Sequence, residues 1–125
     1  MGNAPVILKC IRQLQEYFTG DRIFFDVAMN PEGTDFQKRV WTELTRIPYG
    51  DTISYLELAR RLGDEKCIRA AGTANGKNPI PVIIPCHRVI GTSGKLVGYS
   101  GELWRKESLL RHEARYAPKK AGRLF

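Results

Sequence analysis

Apolar residues recur with helical spacing at both ends of this chain and give way to a proline-punctuated run between them. Over residues 6–18 they fall at Val6, Ile7, Leu8, Ile11, Leu14, Tyr17 and Phe18, and the 7, 11, 14, 18 spacing predicts a helix with one apolar stripe. Gly20-Asp21 ends it, and the short, partly β-branched stretch 23–27 reads as extended. Asn30-Pro31-Glu32-Gly33 is a turn or linker. Thr34-Asp35-Phe36-Gln37 then has the form of a capping box, with Thr at the N-cap and Gln at the third helical position. The helix it opens turns Phe36, Val40, Trp41, Leu44 and Ile47 inward and breaks at Pro48-Tyr49-Gly50-Asp51. Ser54-Tyr55-Leu56-Glu57 is a second capping box, opening a short helix that stops at Gly63. Asp64 caps a third helix over 65–75. Two short helices joined by a glycine turn form a helix-turn-helix signature. A last helix is predicted over 103–113, with Leu103, Trp104, Leu109 and Leu110 in the core and Arg105, Lys106 and Arg111 outward.

The helix over 65–75 is odd for a reader of the major groove. It has few long polar side chains to reach base edges. Ala70, Ala71, Gly72 and Ala74 leave a thin, smooth surface that can approach nucleic acid or another helix closely, and Arg69 is the one long group near its middle.

Between the two helical halves lies Pro79-Ile80-Pro81-Val82-Ile83-Ile84-Pro85-Cys86-His87-Arg88-Val89-Ile90. Its prolines fix φ and remove backbone donors, so it is neither a helix interior nor a central strand. It reads as a stiff, extended segment that delivers Cys86 to a fixed place. A free thiol, with a pKa of about 8.5, is mostly protonated at neutral pH and needs a base or a positive charge to become a nucleophile. His87 and Arg88 are the first candidates. A Cys-His pair also arises by chance, and neighbours in an extended segment point to opposite sides.

At 125 residues, with 42% hydrophobic and 26% charged positions, the chain is an ordinary globular domain. No secretory signal is evident, and no apolar run approaches the roughly 20 residues of a membrane span. The three cysteines, Cys10, Cys67 and Cys86, have unrelated spacings. That argues against a disulfide framework or a zinc site and points to a reducing cytoplasm. The formal net charge of +7 is unevenly spread. Residues 1–59 carry six basic and eight acidic groups, net −2, whereas 60–125 carry fourteen and five, net +9. An excess overlapping the Cys86 segment suggests an acidic partner, nucleic acid first.

Ile53-Ser54-Tyr55, Arg69, Asn78-Pro79, Pro85-Cys86-His87-Arg88-Val89, Gly98-Tyr99-Ser100-Gly101 and residues 106–113 together, in order and spacing, resemble the C-terminal domain of the O6-alkylguanine-DNA alkyltransferases. The resemblance runs from about Gly33 to Glu113. It implies a mostly α domain with a helix-turn-helix (winged-helix-like) DNA-binding unit and a short hairpin or loop around the active site. Residues 1–32 become a short lead-in, a remnant of the connection to a missing N-terminal domain. Residues 33–114 are the DNA-binding and active-site domain, and 115–125 a basic tail. The zinc ligands of some relatives' N-terminal domains have no counterpart, and Glu102 stands where Gly is more usual.

The resemblance also implies roles. Cys86 takes the alkyl group from guanine O6 as a permanent thioether, His87 acts as base through a water, Glu113 orients it, and Tyr55 donates to the base. The damaged nucleotide leaves the stack. Arg69 fills the gap, and Ala70, Ala71, Gly72, Thr73, Asn75 and Arg88 complete the DNA contacts through the minor groove. Asn78 braces the site, which Val97, Gly98, Tyr99, Ser100, Gly101 and Lys106 line as the substrate pocket. The partner is double-stranded DNA containing O6-alkylguanine, met by a cytoplasmic monomer that needs no metal, cofactor or membrane. The alternative is the alkyltransferase-like class, which has the chain's length but Trp in place of the cysteine, and binds the lesion for other repair factors without repairing it. A sequence-specific regulator and a Cys-His hydrolase fit less well.

Overall fold

The computed structural model describes residues 4–27, 30–91 and 103–117. The chain divides into two compact units, Met1–Asn30 and Pro31–Phe125. In the first, helix α1 (Ala4–Phe18) ends in a glycine cap. Gly20 takes φ +88°, its N–H donates to Tyr17 O, and Asp21 N–H reaches back to Glu16 O. The buried face is not the expected stripe. Gln13 and Tyr17 are the most enclosed side chains, while Ile7, Ile11 and Phe18 are each about half exposed. Gln13 accepts from Asp26 N–H at 2.9 Å, and the Tyr17 ring meets Phe25 at 5.5 Å. Residues 23–27 form no strand; they fold back on α1, with Arg22 paired to Glu16 and donating to Phe24 O.

The second unit begins where its sequence marks a helix start. Thr34 accepts from Gln37 N–H, and the Gln37 side chain accepts from Thr34 N–H, closing both halves of a capping box over α2 (Asp35–Leu44). Val40, Trp41 and Leu44 enter the core, and Ile47 follows them just beyond the helix. Gly50, at φ +84°, turns the chain into strand β1 (Ile53–Ser54). Ser54 then caps α3 (Tyr55–Arg61) by accepting from Glu57 N–H. Gly63 at φ +101° reverses direction, and Asp64 caps a 3-10 turn over Glu65–Cys67 that runs into α4 (Ile68–Gly76). The predicted single helix therefore starts as a tighter turn, a common form at helix N-termini.

Trp41 Nε1 donates to Ala74 O at 3.0 Å, tying α2 to α4, and the fully buried Ala71 lets α4 lie close against its neighbours. Strand β2 (Val89–Ile90) runs parallel to β1, with Ile53 opposite Val89 and Ser54 opposite Ile90. Helix α5 (Leu103–Tyr116) completes the described part. It extends three residues beyond its expected end, into the stretch assigned to the basic tail. Its buried residues are Lys106, Leu109, Leu110 and Glu113, whereas Leu103 and Trp104, expected in the core, are exposed. No helix among the described residues is long and apolar enough to cross a membrane.

Candidate active site

Cys86 does not sit in an extended segment. It opens a 3-10 turn, Cys86–Arg88, so that three consecutive side chains fan out from one tight bend. The preceding loop is pinned from just past the end of α4. Asn78 Nδ2 donates to Ile84 O at 2.6 Å and Asn78 Oδ1 accepts from Ile80 N–H at 2.9 Å, so one amide holds both sides of the 80–84 bend. Cys86 N–H donates to Ile84 O, and Val82 at φ +75° marks where the bend strains a β-branched residue. One turn earlier in α4, Asn75 Nδ2 reaches both Cys86 O at 3.4 Å and Tyr55 Oη at 3.5 Å. These long contacts link the cysteine backbone to the start of α3.

The next two residues of the turn converge on one carboxylate. His87 Nε2 lies 2.6 Å from Glu113 Oε2, while Arg88 donates from Nε to Oε1 at 2.8 Å and from Nη2 to Oε2 at 2.9 Å. Arg88 Nη1 donates to Ile47 O, and its guanidinium stacks 5.6 Å from the Tyr49 ring centre. Burial by itself pushes the Glu113 carboxyl up, but the hydrogen bonds from His87 and Arg88, with the charge of Arg88, overcome that and hold it well below the usual carboxylate range. Glu113 is therefore an anion. For His87, burial outweighs the attraction of Glu113 and lowers its pKa, so the ring is neutral at pH 7.

Those two protonation states fix the tautomer. An ionised carboxylate only accepts, so His87 Nε2 carries the proton and donates it to Glu113. The lone pair is then on Nδ1, which is buried and meets no hydrogen-bond partner among the described residues. A carboxylate-oriented imidazole with its basic nitrogen left over is the arrangement that general-base catalysis requires.

The thiol needs such a base. Burial raises the Cys86 pKa, and the Asn78 side chain, Lys106 and the Cys86 backbone only partly oppose it. Lys106 projects from α5 with no solvent exposure, and its ammonium lies 5.6 Å from the Tyr55 ring centre. Burial pushes its pKa down to about 8, against the pull of Cys86. Tyr55 is pushed up to about 12, first by burial and then by Cys86, with the Asn75 contact opposing. A phenol so high in pKa stays protonated and can donate.

The residues expected to touch DNA divide. On α4, Arg69, Ala70 and Thr73 are exposed and Gly72 is half-buried. Ala71 and Asn75 are not on that surface: both are buried, Ala71 against the core and Asn75 in its contacts with Tyr55 and Cys86. Arg88 also departs from expectation. Its guanidinium is enclosed by Glu113, Ile47 O and Tyr49, so it reaches neither a DNA-facing surface nor the thiol it was expected to activate. Lys106, expected outward on its helix, is instead buried, close enough to the Cys86 thiol to feel its charge. Val97, Gly98, Tyr99, Ser100 and Gly101 lie outside the described residues.

Residues 35–115 match the model of the 6-O-methylguanine DNA methyltransferase DNA-binding domain. The chain belongs to this family. It is 55% identical over 111 residues to a methylated-DNA–protein-cysteine methyltransferase of Methanosarcina acetivorans, a match covering 89% of this chain and 71% of that one. The crystal structure of Mycobacterium tuberculosis OGT in complex with DNA superposes with a TM-score of 0.85 at 52% identity, over 89% of this chain and 69% of that one. S. pombe Atl1, solved with damaged DNA containing O6-carboxymethylguanine, superposes with a TM-score of 0.58 at 27% identity, over 66% of this chain and 79% of that one. The mostly α fold with its helix-turn-helix unit is thus the fold of this methyltransferase family.

Two features of the methyltransferase site were not read from the sequence. One is the Asn75 bridge between Tyr55 and the Cys86 backbone; a polar side chain at the end of a helix carries no local mark of what it will meet. The other is the Arg88–Glu113 pair. A signal for its carboxylate did exist: Leu109 and Leu110 mark the inward face of α5, and positions 106 and 113 continue that face at helical spacing. By that spacing Lys106, assigned outward from its charge, also belongs to the inward face.

Proposed function

We propose that Cys86 is the acceptor in a direct, single-turnover repair of O6-alkylguanine in duplex DNA. The thiol proton passes to His87 Nδ1 through a water, and the imidazolium so formed is stabilised by Glu113. The thiolate attacks the alkyl carbon, the new S–C bond forms as the C–O bond breaks, and the electron pair moves into the purine. Tyr55 donates to the base as that charge develops and Lys106 offsets it, so guanine is released and the alkyl group stays on sulfur. The extruded nucleotide reaches the buried thiol from the minor groove, and Arg69, exposed on α4, takes its place in the stack. A cytoplasmic location, where thiols stay reduced, suits an acceptor that works once.

One observation carries this reading: the buried His87 sets Nε2 2.6 Å from the Glu113 carboxylate and leaves Nδ1 without a partner among the described residues, in the same turn as Cys86. A protein that only binds lesions has no use for a carboxylate-oriented base beside a thiol. The recognition-only alternative loses further ground to the nature of residue 86 and to the greater likeness to the methyltransferases.

The test is peptide mass spectrometry after incubation with duplex DNA carrying O6-methylguanine. The peptide containing Cys86 is expected to gain one methylene while unmodified guanine is restored in the DNA. Cys86→Ser is expected to abolish transfer and retain lesion binding. Transfer by the serine variant would sink the acceptor assignment, and lesion-selective binding without any mass change would move the protein to the recognition-only class.

A further inference from the structure

Away from the cysteine, the outward side of α2 and the C-terminal end of α3 enclose a depression of about 380 Å³. Lys38, Arg39, Arg46 and Arg61 line it, against the single carboxylate of Glu43. The α2 residues follow from helical spacing: Val40, Trp41 and Leu44 are buried, which leaves positions 38, 39 and 42 on the opposite side, and Arg46 is exposed in the turn just beyond the helix. Three arginines and a lysine thus line one depression, and their groups match phosphate oxygens in geometry as well as charge.

Two details make the cluster ready for an anion. Arg39 Nη2 donates to Leu62 O at 2.6 Å, which fixes this guanidinium across the α2–α3 junction with other donors to spare. Arg46 pairs with Glu43 and Arg61 with Glu57, but these are surface pairs with the Arg46 side chain 66% exposed. Pairs of that kind contribute little and exchange readily for a better acceptor.

We infer that this depression is a second DNA contact, one that grips backbone phosphates of the duplex beside the stretch met by α4. The inference rests on the reading that this chain acts on duplex DNA. Helix α3 links the two places: Tyr55 at its start belongs to the active site, and Arg61 at its end belongs to the depression. Its seven residues span only about 10 Å. The contact is to phosphate, so it adds affinity and register without sequence preference.

The experiment compares wild type with Lys38→Gln/Arg46→Gln, two exposed positions outside the catalytic network. Duplex affinity is measured against salt, and alkyl transfer from free O6-methylguanine base checks that the active site is intact. The slope of log K against log salt is expected to become shallower by about 1 to 2, at roughly 0.9 for each phosphate no longer gripped, with free-base transfer unchanged. Lys38→Arg/Arg46→Lys is expected to restore the slope. An unchanged slope and affinity in the glutamine variant, beside a salt-dependent wild type, would overturn the second contact alone. A wild type without salt-dependent duplex binding would overturn the DNA reading with it. Tripolyphosphate at fixed ionic strength is the remaining probe. Binding that the glutamine variant loses, with its duplex affinity unchanged, would assign the depression to small polyphosphates and refute the DNA contact.

Discussion

Glu113 accepts hydrogen bonds from one cation and one neutral imidazole in a place where a lone carboxylate could not stay ionised. Its oxygens are within reach of His87, of both Arg88 donors and of Gly50 N–H at 3.4 Å, and the side chain has no exposure. Removing the negative charge while keeping the shape isolates what that charge does. Glu113→Gln leaves the Arg88 guanidinium buried without its counter-ion, and breaking such a pair costs about 3–5 kcal/mol. Its pH dependence has a definite sign. The folded-state pKa lies below the ordinary value of 4.5, so the stabilisation is full above that value and is lost as pH falls through the lower one. Urea unfolding is therefore expected to show a wild-type advantage of this size at pH 7 that narrows below about pH 4.5. A gap that stays constant with pH would mean that shape, not charge, anchors the site. The resemblance to the family led to the expectation that Glu113 serves His87, and the structure has the two in contact. The role of Arg88 was not legible, because adjacency to Cys86 says nothing about where a long side chain ends.

Among the elements, α4 shows how little of a helix's orientation its composition reveals. The row of small residues suggested one smooth surface, but in the fold it is divided: Ala71 and Ala74 face the core, Ala70 and Thr73 face out, and Gly72 lies between. A methyl group added at Gly72 would meet the Tyr55 ring at 3.7 Å, an ordinary contact. Gly72→Ala therefore removes a helix-interior glycine without a clash and is expected to raise stability by about 0.5–1 kcal/mol. Gly63 makes the opposite case. Nothing lies within 4 Å of its added Cβ, yet φ is +101°, so Gly63→Ala is expected to cost about 1–2 kcal/mol through the backbone alone. Thermal unfolding of the two variants should move in opposite directions; two shifts of the same sign would contradict the α3–α4 turn. Helix starts at Thr34, Ser54 and Asp64 could be read because capping is a local bond between near neighbours. Strands β1 and β2 could not, since two residues leave no period and their pairing spans 36 positions. The buried face of α1 was misread for a related reason: apolar residues surround much of that helix, and the side chain chosen for burial beside Tyr17 is the polar Gln13.

For the whole molecule, the question is how a thiol with 2% exposure meets a base that belongs inside a duplex. Burial raises the thiol pKa and protects it from casual oxidants, but it also obliges the substrate to come to the protein. Extruding a paired nucleotide costs a few kcal/mol, and a side chain that occupies the gap recovers part of it. Arg69 suits that role. It is exposed near the start of α4, on the side opposite Ala71, with the small Ala70 and Thr73 as its outward neighbours within the helix. The positive excess of residues 60–125 draws the duplex to the same half of the chain. If Arg69 acts only on the duplex, its removal must discriminate between substrates. Arg69→Ala is expected to slow methyl transfer from duplex O6-methylguanine about tenfold or more, the rate equivalent of losing part of the extrusion energy. Transfer from the free base, which has no stack to leave, should be nearly unchanged. Equal losses on both substrates would place Arg69 in the pocket or in the fold and leave the extruded base to be replaced by another group.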